Sequence, residues 1–345
     1  MKVNGDLCHD LLVQKTRQKL AYRKDCDYRE WKGSIKARFI ELTGLDRIQE
    51  NAKDCPLNID VESKEEKDGY TQIRFTFESE PGATVPCYLL IPNTGKKKYP
   101  VAITMERHTA FFQTSIEVLR PQNDGNFVLC NALAVQAVKN GYTALAIEQR
   151  ALGERASKEN MRLDQGQICF FTALRAIELG RTLIGERILD VMRAVDCLSE
   201  FPECDTDNIL ITGNSGGGTT SFYAGCMDER IKLVAPSCAF CSYKTSIMDV
   251  YHCNCNYIPR AYEYFEMEDL ACLIAPRKFL AIAGQEDKLF PIDGVKKSFE
   301  TVKEIYRRVG AEANCRLVET PKGHWWCEDI VWSEISKALS SGDSL

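Results

Sequence analysis

The segment spanning residues 209–218 constrains the fold of this chain more than any other part of its sequence. It reads Ile-Leu-Ile-Thr-Gly-Asn-Ser-Gly-Gly-Gly, so a short apolar run leads directly into Gly-x-Ser-x-Gly and then into small residues. This order predicts a strand, a strained turn and a helix, with the hydroxyl of Ser215 projecting above a sheet. Gly213 and Gly217 would let the new helix and a neighbouring strand approach closely. Gly-x-Ser-x-Gly also occurs by chance in loops. Here a predicted strand precedes the motif and a predicted helix follows it, which is the context that a nucleophile turn requires.

A serine at such a turn is predicted to act as a nucleophile. The helix that begins after Ser215 points its N-terminus at the reaction centre, where negative charge develops. The backbone N–H of Gly216 is therefore predicted to be one donor of an oxyanion hole.

A serine nucleophile needs a general base, which is most often histidine. The chain has four histidines, namely His9, His108, His252 and His324. Where Gly-x-Ser-x-Gly forms such a turn, the chain order is serine, acid and then histidine, which leaves His252 and His324. We favour His324, because it follows the last predicted strand, whereas His252 lies in a thiol-rich segment between strands.

The acid that orients this histidine should follow the predicted strand at residues 279–283. The segment after that strand reads Gly-Gln-Glu-Asp-Lys-Leu-Phe-Pro. Asp287 is the preferred candidate, with Glu286 and Asp293 as alternatives. Its predicted role is to hold the imidazole of His324 in one tautomer and to stabilise the imidazolium.

The rest of the chain alternates predicted strands with predicted helices. Residues 8–50 show helical spacing, the polar stretch 54–67 is irregular, and residues 70–78 and 84–91 form a predicted hairpin. Short apolar runs then alternate with amphipathic helices, which is typical of a parallel sheet covered on both faces. We therefore divide the chain into an N-terminal helical extension, residues 1–65, and a catalytic domain, residues 66–345. A lid insertion, about residues 238–272, follows the sixth predicted strand.

Together these features resemble bacterial α/β-hydrolases of the dienelactone-hydrolase-like and acetyl-xylan-esterase-like group. The stretches that carry the resemblance are Ala-Ile-Glu-Gln-Arg at 146–150 with Gly-Glu-Arg at 153–155, Gly-Arg-Thr-Leu-Ile-Gly-Glu-Arg at 180–187, Gly-Asn-Ser-Gly-Gly-Gly at 213–218 with Asp-Glu-Arg-Ile at 228–231, and residues 284–294 with Gly-His at 323–324. The resemblance implies an α/β-hydrolase fold, with a mostly parallel central sheet and helices on both faces.

The same resemblance implies a Ser-His-Asp esterase, often directed at acetylated sugars, that needs no metal or organic cofactor. Ser215, Asp287 and His324 match the triad positions of the group. Dienelactone hydrolases proper use cysteine as the nucleophile, so their chemistry does not transfer to this chain.

One loop departs from the pattern of the group. After the third strand, members often carry a His-Gly or Gly-His pair that supplies the second oxyanion N–H, whereas this chain has Arg107 followed by His108. Three interpretations are open. Arg107 points away and a neighbouring N–H still serves, or its guanidinium enters the pocket and binds a substrate carboxylate, or the oxyanion hole is impaired.

Two further residues are candidates for substrate binding. Glu148 follows a predicted strand at its carboxyl end, where ligands bind in open α/β sheets. Trp325 adjoins His324 and could form a wall for an acyl or sugar group. A salt-bridge network around Glu148 and simple packing of Trp325 are the alternatives.

The chain contains 16 cysteines, and four of them cluster in sequence near His252. The pairs Cys238-x-x-Cys241 and Cys253-x-Cys255 could hold zinc, but the single residue between the second pair is a shorter spacing than structural zinc sites use. We therefore favour a thiol-rich lid segment over a metal site, although metal binding by these cysteines stays open. We expect reduced thiols because the chain is large and shows no export signal.

The composition of the chain limits the kinds of molecules that it can bind. The net charge is -5, which gives no general attraction for nucleic acid or anionic lipid. No segment approaches the roughly 18 apolar residues of a membrane helix. The sequence therefore predicts a cytoplasmic protein that acts on a small-molecule or carbohydrate ester, and it leaves a homo-oligomer open.

Three other functions remain open at this point. A peptidase and an acyltransferase would use the same fold and the same triad. A catalytically weak binding protein is the third, and Arg107 in the oxyanion loop is its main support.

Overall fold

The computed structural model describes residues 4–108, 119–121, 127–129, 131–159 and 169–340. The first three residues of the expected N-terminal extension and the last five of the expected catalytic domain lie outside these ranges. The strands are β1 Asp60–Lys67, β2 Tyr70–Glu78, β3 Thr84–Pro92, β4 Tyr99–Met105, β5 Leu119–Pro121, β6 Phe127–Leu129, β7 Thr143–Ile147, β8 Cys204–Asn214, β9 Ile231–Ser237, β10 Lys278–Gly284 and β11 Cys315–Thr320.

Helices flank these strands along the chain. They are α1 Leu7–Lys15, α2 Tyr28–Thr43, α3 Leu45–Ala52, α4 Leu133–Lys139, α5 Phe170–Glu178, α6 Leu183–Cys197, α7 Gly216–Met227, α8 Met267–Ile274, α9 Ile292–Arg308 and α10 Glu328–Ser340.

Nine of the described strands form one sheet in the order β1-β2-β3-β7-β4-β8-β9-β10-β11, and β5 pairs with β6 apart from it. The strands from β7 to β11 in this order are mutually parallel, whereas β1, β2 and β3 pair antiparallel. The predicted mostly parallel sheet, entered through an antiparallel hairpin, is confirmed.

The central strand β8 shows why the sheet must be covered on both faces. Ile209 and Ile211 belong to the larger core, beneath α2, α3 and α6 to α9, whereas Leu210 belongs to a second core beneath α4 and α10. Successive side chains of a strand point to opposite faces, so an unbroken apolar run fits a strand that is buried on both sides.

The first strand of the sheet corrects the sequence analysis, which predicted residues 54–67 to be irregular. Residues 60–67 form β1, which pairs antiparallel with β2 through a turn at Gly69, where φ is +84°. Most of its side chains are exposed. Because neither face is buried, β1 shows no alternation of apolar residues, and its strand conformation comes from pairing with β2. With β1 included, the insertion follows the seventh strand of this sheet in chain order.

The N-terminal helices pack on the sheet domain. In α2, the side chains of Trp31, Ile35 and Phe39 are buried in the larger core. Just before this helix, the N–H of Tyr22 donates to Asp269 Oδ1 at 2.7 Å, which ties the segment to α8. The N-terminal segment therefore adjoins the end of the insertion between β9 and β10.

The expectations about membrane helices and about the state of the cysteines can be compared with the described residues. None of the helices there combines the length and the apolar content that a membrane crossing requires. The cysteines in the described part of the chain are all free thiols.

Candidate active site

Ser215 lies between β8 and α7, in the turn that the sequence predicted. Its φ of 55° and ψ of -121° place a non-glycine residue in a strained conformation. A Cβ on Gly213 would lie 2.5 Å from the carbonyl oxygen of Met105, and a Cβ on Gly217 would overlap the same carbonyl. Glycine at both positions therefore lets β4 pass directly against the turn.

The side chain of Ser215 forms a hydrogen-bonded relay with two distant residues. His324 Nε2 is 2.7 Å from Ser215 Oγ, and His324 Nδ1 is 2.8 Å from Asp287 Oδ2. Asp287 follows β10 and His324 follows β11. Because β8, β10 and β11 are parallel, their carboxyl ends share one edge of the sheet, and the three side chains meet there.

The carboxylate of Asp287 is buried and firmly held. Its Oδ1 accepts hydrogen bonds from the backbone N–H groups of Leu289 at 2.8 Å and Phe290 at 3.2 Å. The Phe290 ring stacks on His324, with centroids 5.9 Å apart. The alternative acids, Glu286 and Asp293, are exposed. Of the three acids that the sequence left open, the structure brings Asp287 to His324.

His252, the rival base, lines the same pocket but contacts other groups. Its Nε2 is 3.0 Å from Ser246 Oγ, and its ring lies edge-on to Phe290. Burial lowers the pKa of His252 below its ordinary value. The hydrogen-bonding partner of Ser215 is His324.

A pocket of about 370 Å³ opens at this relay. Ser215, Gly216 and His324 contribute to one side, and Arg107 and His108 come from the loop after β4. The insertion contributes Tyr251, His252, Cys253 and Asn256, and the rest of the lining is Thr219, Leu289 and Phe290. Residues 238–272 therefore help to enclose the reaction centre.

The predicted oxyanion residues lie together in this pocket. Gly216 begins α7, where the first backbone N–H groups of a helix lack intrahelical acceptors. The ring of His108 lies so close to Gly216 that a Cβ there would overlap His108 Nδ1 and Cε1. Arg107 also lines the pocket, so the interpretation that its guanidinium binds a substrate carboxylate stays a prediction.

A buried network that sequence reasoning missed holds the loop after β4. Gln149 Nε2 donates to the carbonyl oxygen of Glu106 at 2.7 Å, and Gln149 Oε1 accepts from Thr220 in α7. The Glu106 carboxylate accepts from the N–H of Leu133 at 3.3 Å, and burial raises the pKa of Glu106 to about 7. The only signal in the sequence is that Glu106 and Gln149 each follow a strand of the sheet.

The two predicted substrate-binding residues are not among those that line the pocket. Glu148 is buried, its Oε2 accepts from the N–H of Glu154 at 3.3 Å, and burial raises its pKa to about 8. Nearby, Arg150 contacts Glu80 at 2.6 Å, as the salt-bridge alternative expected. Trp325 is 45% exposed and lies outside the pocket wall.

The thiols group differently from the sequence hypothesis. Cys241 lies 3.3 Å from Thr245 Oγ1, and Cys238 adjoins Asp287 and His324. A separate cluster consists of His108, Cys169, Cys253 and Cys255, whose ligand atoms all lie within 4.8 Å of one another. Only the second of the two sequence pairs therefore belongs to this cluster.

Comparison with known proteins places the chain among hydrolases. A model described as the Abhydrolase family matches residues 5–322. A protein named "Putative hydrolase YtaP" from Bacillus subtilis (strain 168) is 24% identical over 244 residues, which cover 70% of this chain and 78% of that protein.

Two solved structures share the fold. One, described as a "putative acetyl xylan esterase" from Bacteroides fragilis NCTC 9343, is 17% identical with a TM-score of 0.72, covering 93% of this chain and 83% of that one. A methylesterase is 18% identical with a TM-score of 0.71, covering 96% of this chain and 69% of that one.

Proposed function

This chain belongs to the Abhydrolase family, and from that premise we propose that it cleaves carboxylic esters through an acyl-enzyme on Ser215. The observation that carries the proposal is the pair of hydrogen bonds, 2.7 Å and 2.8 Å long, that joins Ser215 to His324 and His324 to Asp287. A serine nucleophile is activated by a neighbouring base, and an acid holds that base in the correct orientation.

Acylation begins with attack of Ser215 Oγ on the ester carbonyl carbon while His324 Nε2 takes the hydroxyl proton. Asp287 Oδ2 accepts the hydrogen bond from His324 Nδ1–H, so it keeps the tautomer whose Nε2 is free to act as the base. The bond to the alcohol then breaks, and His324 returns the proton to the departing alkoxide. Water repeats the sequence on the acyl-enzyme, and the carboxylic acid leaves.

The oxyanion of the tetrahedral intermediate needs two donors. We assign one to the backbone N–H of Gly216, at the positive end of α7, and the other to a backbone N–H in the loop that carries Arg107 and His108. Support comes from the packing of His108 on Gly216 and from Gln149, which holds Glu106 immediately before this loop.

The pocket and the similar structures support an inference about the substrate class. A volume of about 370 Å³ accommodates a small ester or one sugar residue. The similar structures include one described as a "putative acetyl xylan esterase" and one named a methylesterase. We therefore infer that acetylated sugars and related small esters are the substrates to test first.

The test is hydrolysis of p-nitrophenyl acetate by the purified protein and by Ser215→Ala, with fluorophosphonate labelling in parallel. We expect the variant to lose at least about 10³-fold in kcat and all labelling, because the nucleophile is gone. Hydrolysis of acetylated xylose is then compared with hydrolysis of a sugar methyl ester, which separates an acetyl esterase from a methylesterase.

The same assays distinguish the rival functions. A peptidase would also cleave a peptide p-nitroanilide, and an acyltransferase would partition the acyl group to added alcohol in preference to water. A folded protein with neither turnover nor labelling would overturn the proposal and support a binding function.

A further inference from the structure

Three thiols and an imidazole converge beside the pocket from three separate segments of the chain. His108 follows β4, Cys169 immediately precedes α5, and Cys253 and Cys255 belong to the insertion. Their ligand atoms all lie within 4.8 Å of one another, and His108 Nε2 is 2.9 Å from Cys255 Sγ. None of these thiols has a role in the proposed hydrolysis.

We propose that His108, Cys169, Cys253 and Cys255 bind one Zn²⁺ ion in a closed tetrahedral site. Zinc binds thiolate sulfur at about 2.3 Å and imidazole nitrogen at about 2.0 Å, so tetrahedral ligands lie roughly 3.5–3.8 Å apart. This spacing lies between the 2.9 Å from His108 Nε2 to Cys255 Sγ and the 4.8 Å within which all four ligand atoms lie. Four protein ligands leave no open position, so the predicted role of the ion is structural.

The charge around the cluster fits this ion. Zn²⁺ with three thiolates and a neutral imidazole carries one negative charge, and Arg187 carries one positive charge. The Arg187 side chain is buried, and its Nη2 donates to Cys169 Sγ at 3.3 Å and to the carbonyl oxygen of Arg150 at 2.7 Å. A guanidinium always donates and remains charged, so it stabilises thiolate sulfur.

Simple packing explains this arrangement less well. Buried cysteines often behave as small apolar residues, and Cys169 and Cys255 do belong to a buried cluster that includes Ala151 and Leu152. Apolar packing, however, gives no reason for an imidazole nitrogen and a buried guanidinium to contact the sulfurs.

The ion would also fix the loop that forms part of the pocket. Coordination through Nε2 leaves the proton of His108 on Nδ1, which lies on the edge of the ring that packs against Gly216. Metal binding would therefore clamp the loop after β4 to the insertion, with one tautomer of His108 facing the start of α7.

The first experiment measures metal in the full-length protein, purified without an affinity tag and kept reduced. We expect about one zinc per chain by inductively coupled plasma mass spectrometry, and zinc-dependent protection of the three thiols from iodoacetamide. After removal of zinc by a chelator, Co²⁺ should restore one equivalent of metal, with the thiolate-to-cobalt absorption and visible bands of a tetrahedral site. These measurements do not depend on ester hydrolysis.

Variants then assign the ligands. Cys169→Ser and Cys255→Ser should each weaken zinc affinity by at least about tenfold, because losing even a hydrogen-bonding partner of a metal ligand costs about 10–100-fold. Cys241→Ser is the matched control, because Cys241 is a buried thiol of the same insertion outside the cluster, and it should retain zinc. If the ligand variants fold poorly, the Co²⁺ spectrum of the wild-type protein still decides the question.

Three results would overturn the proposal. One is a reduced wild-type protein that neither contains zinc nor takes up Zn²⁺ or Co²⁺. Another is a disulfide among Cys169, Cys253 and Cys255, found when the protein is alkylated under denaturing conditions without reductant. The last is loss of zinc from Cys241→Ser but not from Cys255→Ser.

Discussion

Asp287 and His324 meet across the carboxyl ends of two neighbouring parallel strands, with Asp287 Oδ2 2.8 Å from His324 Nδ1. Asp287 follows β10, and His324 follows β11, which pairs with β10 in register from Phe279 opposite Cys315 to Gly284 opposite Thr320. A Cβ on Gly284 would overlap the carbonyl oxygen of Gly323. The two loops therefore approach as closely as backbone atoms allow, and this brings the acid to the base.

The exchange Asp287→Asn tests the role of this acid. An amide in place of the carboxylate can donate to Nδ1 and favour the wrong tautomer of His324, so we expect kcat for p-nitrophenyl acetate to fall by about 10³–10⁴-fold with little change in KM. The control is Glu286→Gln, since Glu286 is an exposed acid one residue away. A larger loss of kcat in Glu286→Gln than in Asp287→Asn would mean that Asp287 is not the acid.

The exchange Gly216→Ala tests the contact between Gly216 and His108. A Cβ would overlap the His108 ring and displace the loop after β4, so we expect kcat/KM to fall about 10–100-fold, somewhat less than loss of a whole oxyanion donor. In the control, Gly33→Ala in α2, the new Cβ meets nothing within 4 Å. That variant should keep full activity and gain about 0.5–1 kcal/mol of helix stability. Full activity in Gly216→Ala would mean that the loop tolerates displacement.

Arg107 in the pocket wall predicts a preference for acidic esters. The variant Arg107→Gln should lose about tenfold or more in kcat/KM for p-nitrophenyl hemisuccinate, because a charge-assisted hydrogen bond to the carboxylate is removed. Hydrolysis of p-nitrophenyl acetate should change little. Lys288→Gln, which alters an exposed cation outside the pocket wall, should affect neither substrate. A uniform loss on both esters would eliminate the carboxylate-binding role.

Glu148 predicts a pH dependence of stability. Burial raises its pKa to about 8 in the folded protein, above the value of about 4.3 expected for an unfolded chain. Between these values the folded state binds more protons, so the free energy of unfolding should fall as the pH rises toward 8. Glu148→Gln should remove this pH dependence. In urea unfolding at pH 6 and pH 9, the free energy of unfolding of the variant should exceed that of the unchanged protein by on the order of 1–2 kcal/mol at pH 9.

The same substitution at Glu300, which is 71% exposed, is the control and should leave the pH profile as it is. Glu148→Gln should also leave KM for small esters unchanged, since Glu148 is not among the residues that line the pocket. A raised KM would restore the substrate-binding role that the sequence predicted.

The parts of the candidate site that the sequence predicted rest on local patterns. A strand that runs into Gly-x-Ser-x-Gly requires glycine where β4 passes, so Ser215 could be identified from ten consecutive residues. Chain order left two of the four histidines, and His324 was preferred over His252 because it follows the last predicted strand. Asp287 was preferred over its neighbours without a physical reason that the sequence could supply.

Other features depended on contacts between residues that are far apart in the chain. The strand β1 is paired and mostly exposed, so its residues show no apolar period. Glu148 stands at the carboxyl end of a strand, as a ligand-binding residue would, yet its side chain turns into the interior, where Glu154 donates to it.

The sequence by itself determined the parallel sheet, the turn at Ser215 and the order of the candidate triad. These depend on side-chain period, on glycine at fixed spacing and on the chain direction of the strands. Only the tertiary structure decided which acid meets His324 and which thiols meet His108. Cys169 lies 84 residues before Cys253, and spacing along the chain carries no information about a cluster that the folding of separate loops brings together.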